Sequence, residues 1–292
     1  MAEFRAGFVA LLGPPNVGKS SLLNAVLGER LAIVTAKPQT TRSRILGILP
    51  RPGAQILFLD TPGRHRSTKK LNEALNAVVE DVARDCDLAL LVVDRAAGWS
   101  ETHSELAEAL VGLARPALVV GTKSDLSRAE GHVWPLAEAP ADWPAFSVSS
   151  KTGEGIPALL DAIVEALPLS PPLYGEDDLT DRPVRWLCAE MIREAVFELL
   201  DQELPYSMAV EVLSFDDSAP KALKIRANLL VARDSQKRIV VGRGGSMVKQ
   251  IGMRARRGIE EWVGRKVHLD LFVKVDPAWL KNDRRIEELG YN

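Results

Sequence analysis

The sequence is poor in cysteine and has no long apolar run. Cys86 and Cys188 are the two cysteines among its 292 residues, and they stand far apart without forming a C-x-x-C pair. So few cysteines argue against a disulfide scaffold and a zinc site, and they suit a reducing cytosol. No apolar stretch approaches the length that crosses a bilayer, and the start of the chain leads directly into an apolar segment. We therefore expect neither a membrane span nor a signal peptide.

Size and charge point to two domains with different partners. A length of 292 residues favours about two domains, and a hydrophobic content of 46% is enough for sizeable cores. The formal net charge of -2 conceals an uneven distribution, because the segment from Lys221 onward holds 17 Lys and Arg against 8 Asp and Glu. That segment has a net charge of +9, against −11 for the rest, which suggests that the C-terminal part meets a polyanion.

Residues 13–20 read GPPNVGKS and fit G-x-x-x-x-G-K-[ST], the pattern of a phosphate-binding loop. An apolar run at 7–12 predicts a buried strand before the loop, and apolar residues at helical spacing follow it. Backbone N–H groups from Asn16 onward can surround a β-phosphate at the helix start, since the two prolines before it have none to give. We expect Lys19 to reach the β- and γ-phosphates and the Ser20 hydroxyl to bind Mg²⁺. The predicted nucleotide-binding residues of this loop are Asn16, Val17, Gly18, Lys19, Ser20 and Ser21.

The polar stretch at 35–42 follows the phosphate-loop helix, where a switch segment would lie. A threonine in it could close over the γ-phosphate and Mg²⁺ and order the loop only when that phosphate is present. Thr41 is the predicted residue and Thr40 the alternative. Two solvated loop threonines would give the same pattern.

An apolar run at 55–59 leads to Asp60 at the end of a predicted strand. A carboxylate in that position can hold the Mg²⁺ shell, and the N–H of Gly63 could then sense the γ-phosphate. The motif D-x-x-G is common and weak by itself. The motif is a more specific signal here because it follows Lys19 in the expected order and at the expected distance.

The sequence TKSD at 122–125 follows another apolar run and predicts the element that recognises the base. Asp125 can accept hydrogen bonds from N1–H and the exocyclic amine of guanine, whereas adenine offers no such pair, and a buried unpaired carboxylate is penalised. Lys123 would lay its aliphatic stem along the base. GTP-binding proteins usually have Asn where Thr122 stands, so we expect weaker bracing between this loop and the phosphate loop. A later strand leads to three more predicted nucleotide-binding residues, Ser149, Ser150 and Lys151, and the backbone N–H of Ser150 is the candidate donor to guanine O6.

In this order and spacing, the motifs GKS, DTPG, TKSD and SSK with the switch threonine resemble those of a Ras-like G domain. Alternating strands and helices predict an α/β fold, a doubly wound sheet that binds nucleotide at the carboxyl ends of its strands. The predicted catalytic residues are Lys19, Ser20, Thr41, Asp60 and Gly63, of which Ser20, Thr41 and Asp60 would ligate Mg²⁺.

The C-terminal part contains a second recognisable motif. A proline-rich break is followed by a helical pattern at 184–200 and by strand-like runs at 208–215 and 223–232. Next comes an apolar segment at 239–241, which we interpret as the edge of a strand. It leads into Gly-x-x-Gly and a predicted helix. This arrangement is typical of a KH domain, whose glycine loop lets a nucleic-acid backbone approach closely. The apolar residues around the loop (Ile239, Val241, Val248 and Ile251) are better explained as core than as groove. The basic run of Arg254, Arg256 and Arg257 could contact phosphate or form a solvated helix face. The predicted RNA-binding residues are Gly242, Arg243, Gly244, Gly245 and Lys249.

One G domain, a TDRP linker and a C-terminal KH unit together resemble the bacterial Era family of GTPases over essentially the whole chain. The resemblance implies a Ras-like GTP-binding domain at 1–170, a linker at 171–183 and a type II α+β KH domain at 184–292. It further implies a monomeric cytosolic GTPase that uses GTP, GDP and Mg²⁺, binds the 3′ end of 16S rRNA and acts in assembly of the small (30S) ribosomal subunit. Loose peripheral association with the inner face of the membrane is also implied.

Several points stay open at this level. Arg64 stands where Ras-like enzymes place a water-orienting Gln, so no general base is assigned. Asn16 resembles the phosphate-loop asparagine of potassium-stimulated GTPases, which implies a K⁺ near the phosphates, but a turn-favouring Asn explains it equally well.

Two alternative functions are compatible with part of the sequence. A phosphotransferase would share the phosphate loop without needing TKSD. An RNA-binding scaffold with an inactive nucleotide fold is disfavoured by the intact Lys19, Ser20 and Asp60.

Overall fold

The computed structural model of the chain describes residues 3–35, 37, 40–62, 80–126, 134–277, 279, 282, 286 and 289. Two residues named above, Gly63 and Arg64, lie outside this set. The chain divides into two compact units. The first comprises Met1–Ala32 and Thr41–Asp181, and the second comprises Ile33–Thr40 and Arg182–Asn292.

A six-stranded sheet organises the first unit. Its strand order is β2-β3-β1-β4-β5-β6, in which β2 is antiparallel to β3 and the remaining pairs are parallel. Because the strand order reverses at β1, the carboxyl ends of β1 and its neighbours open a crevice of the kind that binds nucleotides in α/β sheets. The strands are β1 (Arg5–Leu12), β2 (Ile45–Arg51), β3 (Ala54–Asp60), β4 (Leu88–Asp94), β5 (Ala117–Thr122) and β6 (Ala145–Ser147).

Helices in the first unit follow the strands that position the site. They are α1 (Lys19–Leu27), α2 (Glu101–Gly112) and α3 (Ile156–Ala166), and residues 80–85 are also helical. Helix α2 begins with a capping box, in which the Ser100 N–H donates to Nδ1 of His103 at 3.0 Å. Strands β1, β3 and β4 are almost wholly buried, as expected for apolar runs in the middle of a sheet covered on both faces.

The second unit is a three-stranded sheet packed against helices. Strand β8 lies between β7, which is antiparallel to it, and β9, which is parallel. Helix residues such as Ile192, Val196 and Ile259 pack on Leu223 and Ile225 of β8 in one apolar core. A separate cluster joins Ala209, Leu230, Trp279 and Ile286. The elements are α4 (Val184–Leu199), β7 (Ala209–Asp216), β8 (Ala222–Val231), α5 (Asp234–Val241), α6 (Ser246–Val263) and β9 (Lys266–Val275).

The strand predicted at 239–241 is wrong, because these residues end helix α5. The Gln236 side chain caps that helix by accepting hydrogen bonds from the N–H groups of Ala232 at 2.9 Å and Arg233 at 3.0 Å. Within the helix Val240 is fully buried while Ile239 is 58% exposed. A run of three apolar residues is compatible with both a strand and the end of a helix. The residue that indicates a helix here, the capping Gln236, lies before the run.

Among the described residues, no helix has the length and apolar character needed to cross a membrane. The same residues contain no cluster of three or more His, Cys, Asp or Glu side chains suited to a metal ion.

Candidate functional site

The phosphate loop joins β1 to α1 and depends on backbone conformations that favour glycine. Gly13 has φ 149, Asn16 has φ 63 and Gly18 has φ 102. A Cβ atom on Gly13 would lie 2.6 Å from the carbonyl oxygen of Val92, so the loop is pressed against the end of β4. Helix α1 begins immediately after Gly18, which places its free N–H groups at the loop.

Lys19 is the buried cation of this loop. Its side chain is only 6% exposed, and Nζ donates to the carbonyl oxygens of Gly13 at 2.9 Å and Pro14 at 2.8 Å. Burial lowers the pKa of Lys19 to about 8, against the opposing attraction of Asp60. An anion bound in the loop would compensate this desolvation by restoring a charge partner to the ammonium group.

Ser20, Thr41 and Asp60 converge on one carboxylate oxygen. Ser20 Oγ donates to Asp60 Oδ2 at 2.7 Å, Thr41 Oγ1 donates to the same oxygen at 3.3 Å, and the two hydroxyl oxygens are 3.0 Å apart. Within the described residues, the buried Oδ1 of Asp60 has no hydrogen-bond partner. Burial raises the pKa of Asp60, although Lys19 and the two hydroxyls oppose the shift. Two hydroxyls and a carboxylate with an unsatisfied oxygen are a hard, oxygen-only donor set that fits Mg²⁺.

The structure distinguishes the two candidate threonines. Thr41 is 6% exposed and belongs to the first unit, where it contacts Ser20 and Asp60. Thr40 is assigned to the second unit. The position chosen from the sequence, Thr41, is therefore the one that meets the metal-donor cluster.

The loop after β5 is tied to the phosphate loop. The Thr122 hydroxyl donates to the carbonyl oxygen of Val17 and lies 3.2 Å from that of Val93. The Thr122 hydroxyl therefore braces the two loops directly through the backbone of the phosphate loop, and the expected weakening relative to asparagine stays a prediction. Lys123, with φ 58, adds a second tie through an Nζ hydrogen bond of 3.0 Å to the carbonyl oxygen of Asn16.

The Asp125 carboxylate is positioned by a hydrogen bond from Ser149 and is not buried. The Ser149 hydroxyl donates to Asp125 Oδ1 at 2.7 Å and accepts from the N–H groups of Lys151 at 3.2 Å and Thr152 at 3.1 Å. This hydrogen bond is the main reason that the pKa of Asp125 is lowered. The carboxylate is exposed in the structure, so the buried environment expected for it is not present in the protein alone. Ser149 is itself fully buried, and Ser150 follows it in the same turn.

Sequence reasoning missed Asp94 as a site residue. Its Oδ2 lies 2.7 Å from Lys123 Nζ, and the Asp94 side chain is 15% exposed. The ion pair fixes the stem of Lys123 at the carboxyl ends of β4 and β5. The available signal was a carboxylate at the end of a buried strand, the same signal that identified Asp60.

The glycine loop of the second unit connects α5 to α6. Gly242 has φ 73, Gly244 has φ 57 and Gly245 has φ 81, so three of its four residues adopt backbone conformations that suit glycine. A Cβ atom on Gly242 would lie 2.8 Å from both Cβ and N of Met247. Arg243 and Lys249 are exposed beside this compact turn, as an RNA-backbone contact would require.

A groove of about 400 Å³ lies between α6 and β9, and Lys249 near the start of α6 is part of its lining. Val248 lies in the wall of the groove, whereas Ile251 is fully buried in the core. The apolar residues predicted around the glycine loop are therefore divided between groove and core. The basic run is also divided, since Arg254 pairs with Glu198 at 2.6 Å while Arg256 faces the groove. Several lining residues were not found from the sequence, namely Met253, Leu269, Asp270, Leu271 and Phe272.

Comparison with known proteins identifies relatives of both parts of the chain. A family described as 50S ribosome-binding GTPase matches residues 8–123, and the KH domain family matches residues 203–280. GTPase Era of Geotalea uraniireducens is 43% identical over 292 residues, 99% of this chain and 98% of that protein. GTPase Era of Lacticaseibacillus paracasei is 39% identical over 296 residues, 100% of this chain and 98% of that protein.

Two solved structures are similar over nearly the whole chain. A variant of Aquifex aeolicus Era bound to GDP and AlF4⁻ has a TM-score of 0.91 and 35% identity, covering 99% of both chains. A structure of Era in complex with MgGDPNP and nucleotides 1506–1542 of 16S ribosomal RNA gives the same values. These matches confirm the predicted fold class, a doubly wound G domain followed by a KH domain.

Proposed function

Because this chain belongs to the Era family of GTPases, we propose that it is a GTP-hydrolysing switch that binds the 3′ end of 16S rRNA during assembly of the 30S ribosomal subunit. The observation that carries the nucleotide part is the cluster of Ser20, Thr41 and Asp60 in one unit with the buried Lys19. The RNA part is supported by the glycine loop and its adjoining groove. It is also supported by the related Era structure, which holds a 16S rRNA fragment.

The domain division follows the same proposal. We assign GTP binding to residues 1–170, a linker to 171–183 and RNA binding to 184–292. The compact units divide at a similar place, after Asp181. The segment Ile33–Thr40 is an exception, because it packs with the second unit although its sequence lies inside the first domain.

At the nucleotide site, the chain supplies binding and positioning groups. The N–H groups of the phosphate loop and of the start of α1 would hold the β-phosphate, and Lys19 would leave its carbonyl acceptors for the phosphate oxygens. Ser20, Thr41 and Asp60 would hold Mg²⁺, which when bound neutralises charge that develops on the β- and γ-phosphate oxygens. Gly63 keeps its proposed role as a γ-phosphate sensor. No general base is assigned, since Arg64 replaces the usual Gln.

Guanine selectivity would come from Asp125 and its supporting residues. Ser149 holds one carboxylate oxygen, and the other remains for the donors on the guanine edge. Ser150 and Lys151 complete the proposed base pocket, and Lys123 covers one face of the base. A phosphotransferase acting on another substrate would not need this arrangement of groups.

The second unit would hold single-stranded RNA. Gly242, Gly244 and Gly245 allow the RNA backbone to approach closely, while Arg243 and Lys249 compensate its charge. The groove between α6 and β9 would take the bases, with Phe272, which is 46% exposed, as an aromatic surface for stacking.

We also propose that Asn16 helps to hold K⁺. We further propose that the protein is a monomer and that its location is cytosolic, with loose contact at the inner membrane face.

The function is tested by measuring hydrolysis of GTP and ATP with Mg²⁺ for the whole protein, the Asp60→Ala variant and, as a matched control, Asp81→Ala on the surface of the same unit. Hydrolysis confined to GTP, lost in Asp60→Ala and kept in Asp81→Ala is the expected result. Equal hydrolysis of ATP, or full activity in Asp60→Ala, would contradict the proposal.

A further inference from the structure

The segment Ile33–Thr40 packs with the second unit, although it lies between α1 and β2 of the first. Its Lys37 is bound at the carboxyl end of helix α4. Lys37 Nζ donates to the carbonyl oxygens of Phe197 at 2.7 Å and of Leu200, and it forms an ion pair of 2.9 Å with Asp201. One side chain thus meets three acceptors at one helix end.

The electrostatics of a helix end favour this contact. The last carbonyl groups of a helix have no partners within it and carry partial negative charge, so a cation is stabilised there. Helix α4 has no basic residue in its own last turn. Lys37 supplies that charge from a distant part of the sequence.

Further contacts along α4 are polar as well. Glu194 accepts a 3.4 Å hydrogen bond from the N–H of Val34, and it is only 4% exposed. Arg193 and Glu190, on the same face of the helix, form a buried ion pair. Each of these contacts involves a charged group, and a hydrogen bond to a charged group contributes about 1.5–3 kcal/mol. Contacts of this strength fix Lys37 at the end of α4.

Thr41 follows Lys37 by four residues and contacts Ser20 and Asp60. Four residues span at most about 14 Å when fully extended. Fixing Lys37 therefore restricts the positions that Thr41 can reach. In the structure Lys37 is attached while Thr41 lies in the cluster, so the two contacts are compatible.

We propose that Lys37 is a positioning residue for Thr41. Its attachment to α4 lowers the conformational freedom that the segment must lose when Thr41 binds Mg²⁺ and the γ-phosphate. GDP lacks the γ-phosphate, so its binding does not depend on the attachment. The inference rests on the proposed function.

The test compares Lys37→Met, which keeps the aliphatic stem, with Lys37→Arg, which keeps a charge. Lys221→Met, at an exposed position in the second unit, serves as the matched control. Affinities are measured for GDP and for a non-hydrolysable GTP analogue, each with and without Mg²⁺. We expect Lys37→Met to weaken binding of the Mg²⁺–analogue complex about fivefold or more, with GDP affinity unchanged. Lys37→Arg and Lys221→Met should behave as the unaltered protein.

A double-mutant cycle tests whether the effect acts through Thr41. In a Thr41→Ala background, Lys37→Met should cause no further loss, since interacting positions are non-additive. The proposal is overturned if Lys37→Met leaves the Mg²⁺–analogue affinity unchanged, weakens GDP equally, or adds its full effect in the Thr41→Ala background. If the unaltered protein binds no GTP analogue, the proposed function itself fails. If it binds the analogue and Lys37→Met changes nothing, only the role of Lys37 fails.

Discussion

The Thr122 hydroxyl donates a hydrogen bond to the backbone carbonyl of Val17, which joins the base-recognition loop to the phosphate loop. Both residues are buried, Thr122 at 1% exposure and Val17 at 6%. GTP-binding proteins usually make this connection with an asparagine amide. A shorter hydroxyl makes it here, and the Lys123 Nζ hydrogen bond to the carbonyl oxygen of Asn16 is the second tie between the two loops.

Thr122→Val should therefore weaken binding of both GDP and GTP. The change preserves shape but removes the donor and leaves a buried carbonyl unsatisfied, which costs about 1–3 kcal/mol. Isothermal titration calorimetry would measure the loss, roughly tenfold for a cost near 1.4 kcal/mol. Thr122→Ser keeps the hydroxyl and serves as the control. Unaltered affinity in Thr122→Val would show that the bond does not support the site.

Asp125→Asn should shift base preference from guanine towards xanthine. The Asn amide N–H can donate to the 2-oxo group of xanthine. In guanine the same position carries an amine, which is itself a donor, so two donors would face each other. Competition between GDP and XDP for the purified variant would measure the shift. Ser149→Ala should weaken GDP binding without this change of preference, because it removes only the support of the carboxylate. If Asp125→Asn bound GDP as tightly as the unaltered protein, Asp125 would not be the base-reading residue.

Nucleotide affinity should fall as pH rises through about 8, because Lys19 loses its proton there in the free protein. Bound phosphates favour the ammonium form and raise its pKa, so binding takes up protons. Proton uptake should increase as pH rises through this range, because a growing share of the free protein has neutral Lys19. Calorimetry in buffers of different ionisation enthalpy measures this uptake between pH 7.5 and 9. Lys19→Arg, whose guanidinium stays charged, should bind with little pH dependence over that range. Proton release, or equal pH dependence in Lys19→Arg, would contradict the assignment.

GTP turnover should be faster in K⁺ than in Na⁺ at equal ionic strength if Asn16 helps to hold a monovalent cation. The ion would offset charge that develops near the β- and γ-phosphates. Steady-state phosphate release in the two salts measures the effect, and Asn16→Ala should abolish the difference. The same rate in both salts would contradict the proposed role of Asn16 in holding K⁺.

The sequence was informative where chemistry is encoded by short, continuous motifs. The phosphate loop and Asp60 were predicted because an apolar strand, a fixed spacing and one residue type coincide. Thr41 was identified by its place after the phosphate-loop helix, and the structure places it beside Ser20. The two-domain organisation followed from the same motifs and from the uneven charge.

Features assembled from distant segments could not be read in this way. The groove joins Met253 of α6 to Phe272 of β9, and no local pattern relates the two. Lys37 meets α4 more than 150 residues further along the chain. Helix α5 was misread as a strand because its apolar end is short and its cap, Gln236, lies before it. The exposure of Asp125 likewise depends on tertiary context that the motif does not contain.

RNA binding should depend on the glycine loop and leave nucleotide binding intact. Gly242→Asp together with Gly245→Asp adds negative charge, a clash with Met247 and unfavourable backbone torsions. We expect this variant to lose RNA affinity and keep its GDP affinity, because the change is confined to the second unit. Lys249→Ala tests the contact without disturbing the loop and should weaken RNA binding to a lesser extent. Undiminished RNA binding in both variants would place the RNA elsewhere.

The most direct test of the account is the affinity for RNA in the two nucleotide states. A single-stranded RNA corresponding to nucleotides 1506–1542 of 16S rRNA, the fragment in the related Era complex, is titrated against the protein loaded with GDP or with a Mg²⁺-bound non-hydrolysable GTP analogue. We predict tighter binding with the analogue, by about 5- to 150-fold for a typical coupling of 1–3 kcal/mol. Thr41→Ala should erase the difference while keeping GDP binding. Identical affinities in the two states would mean that the GTP site and the RNA site act independently, and would contradict a GTP-controlled RNA switch.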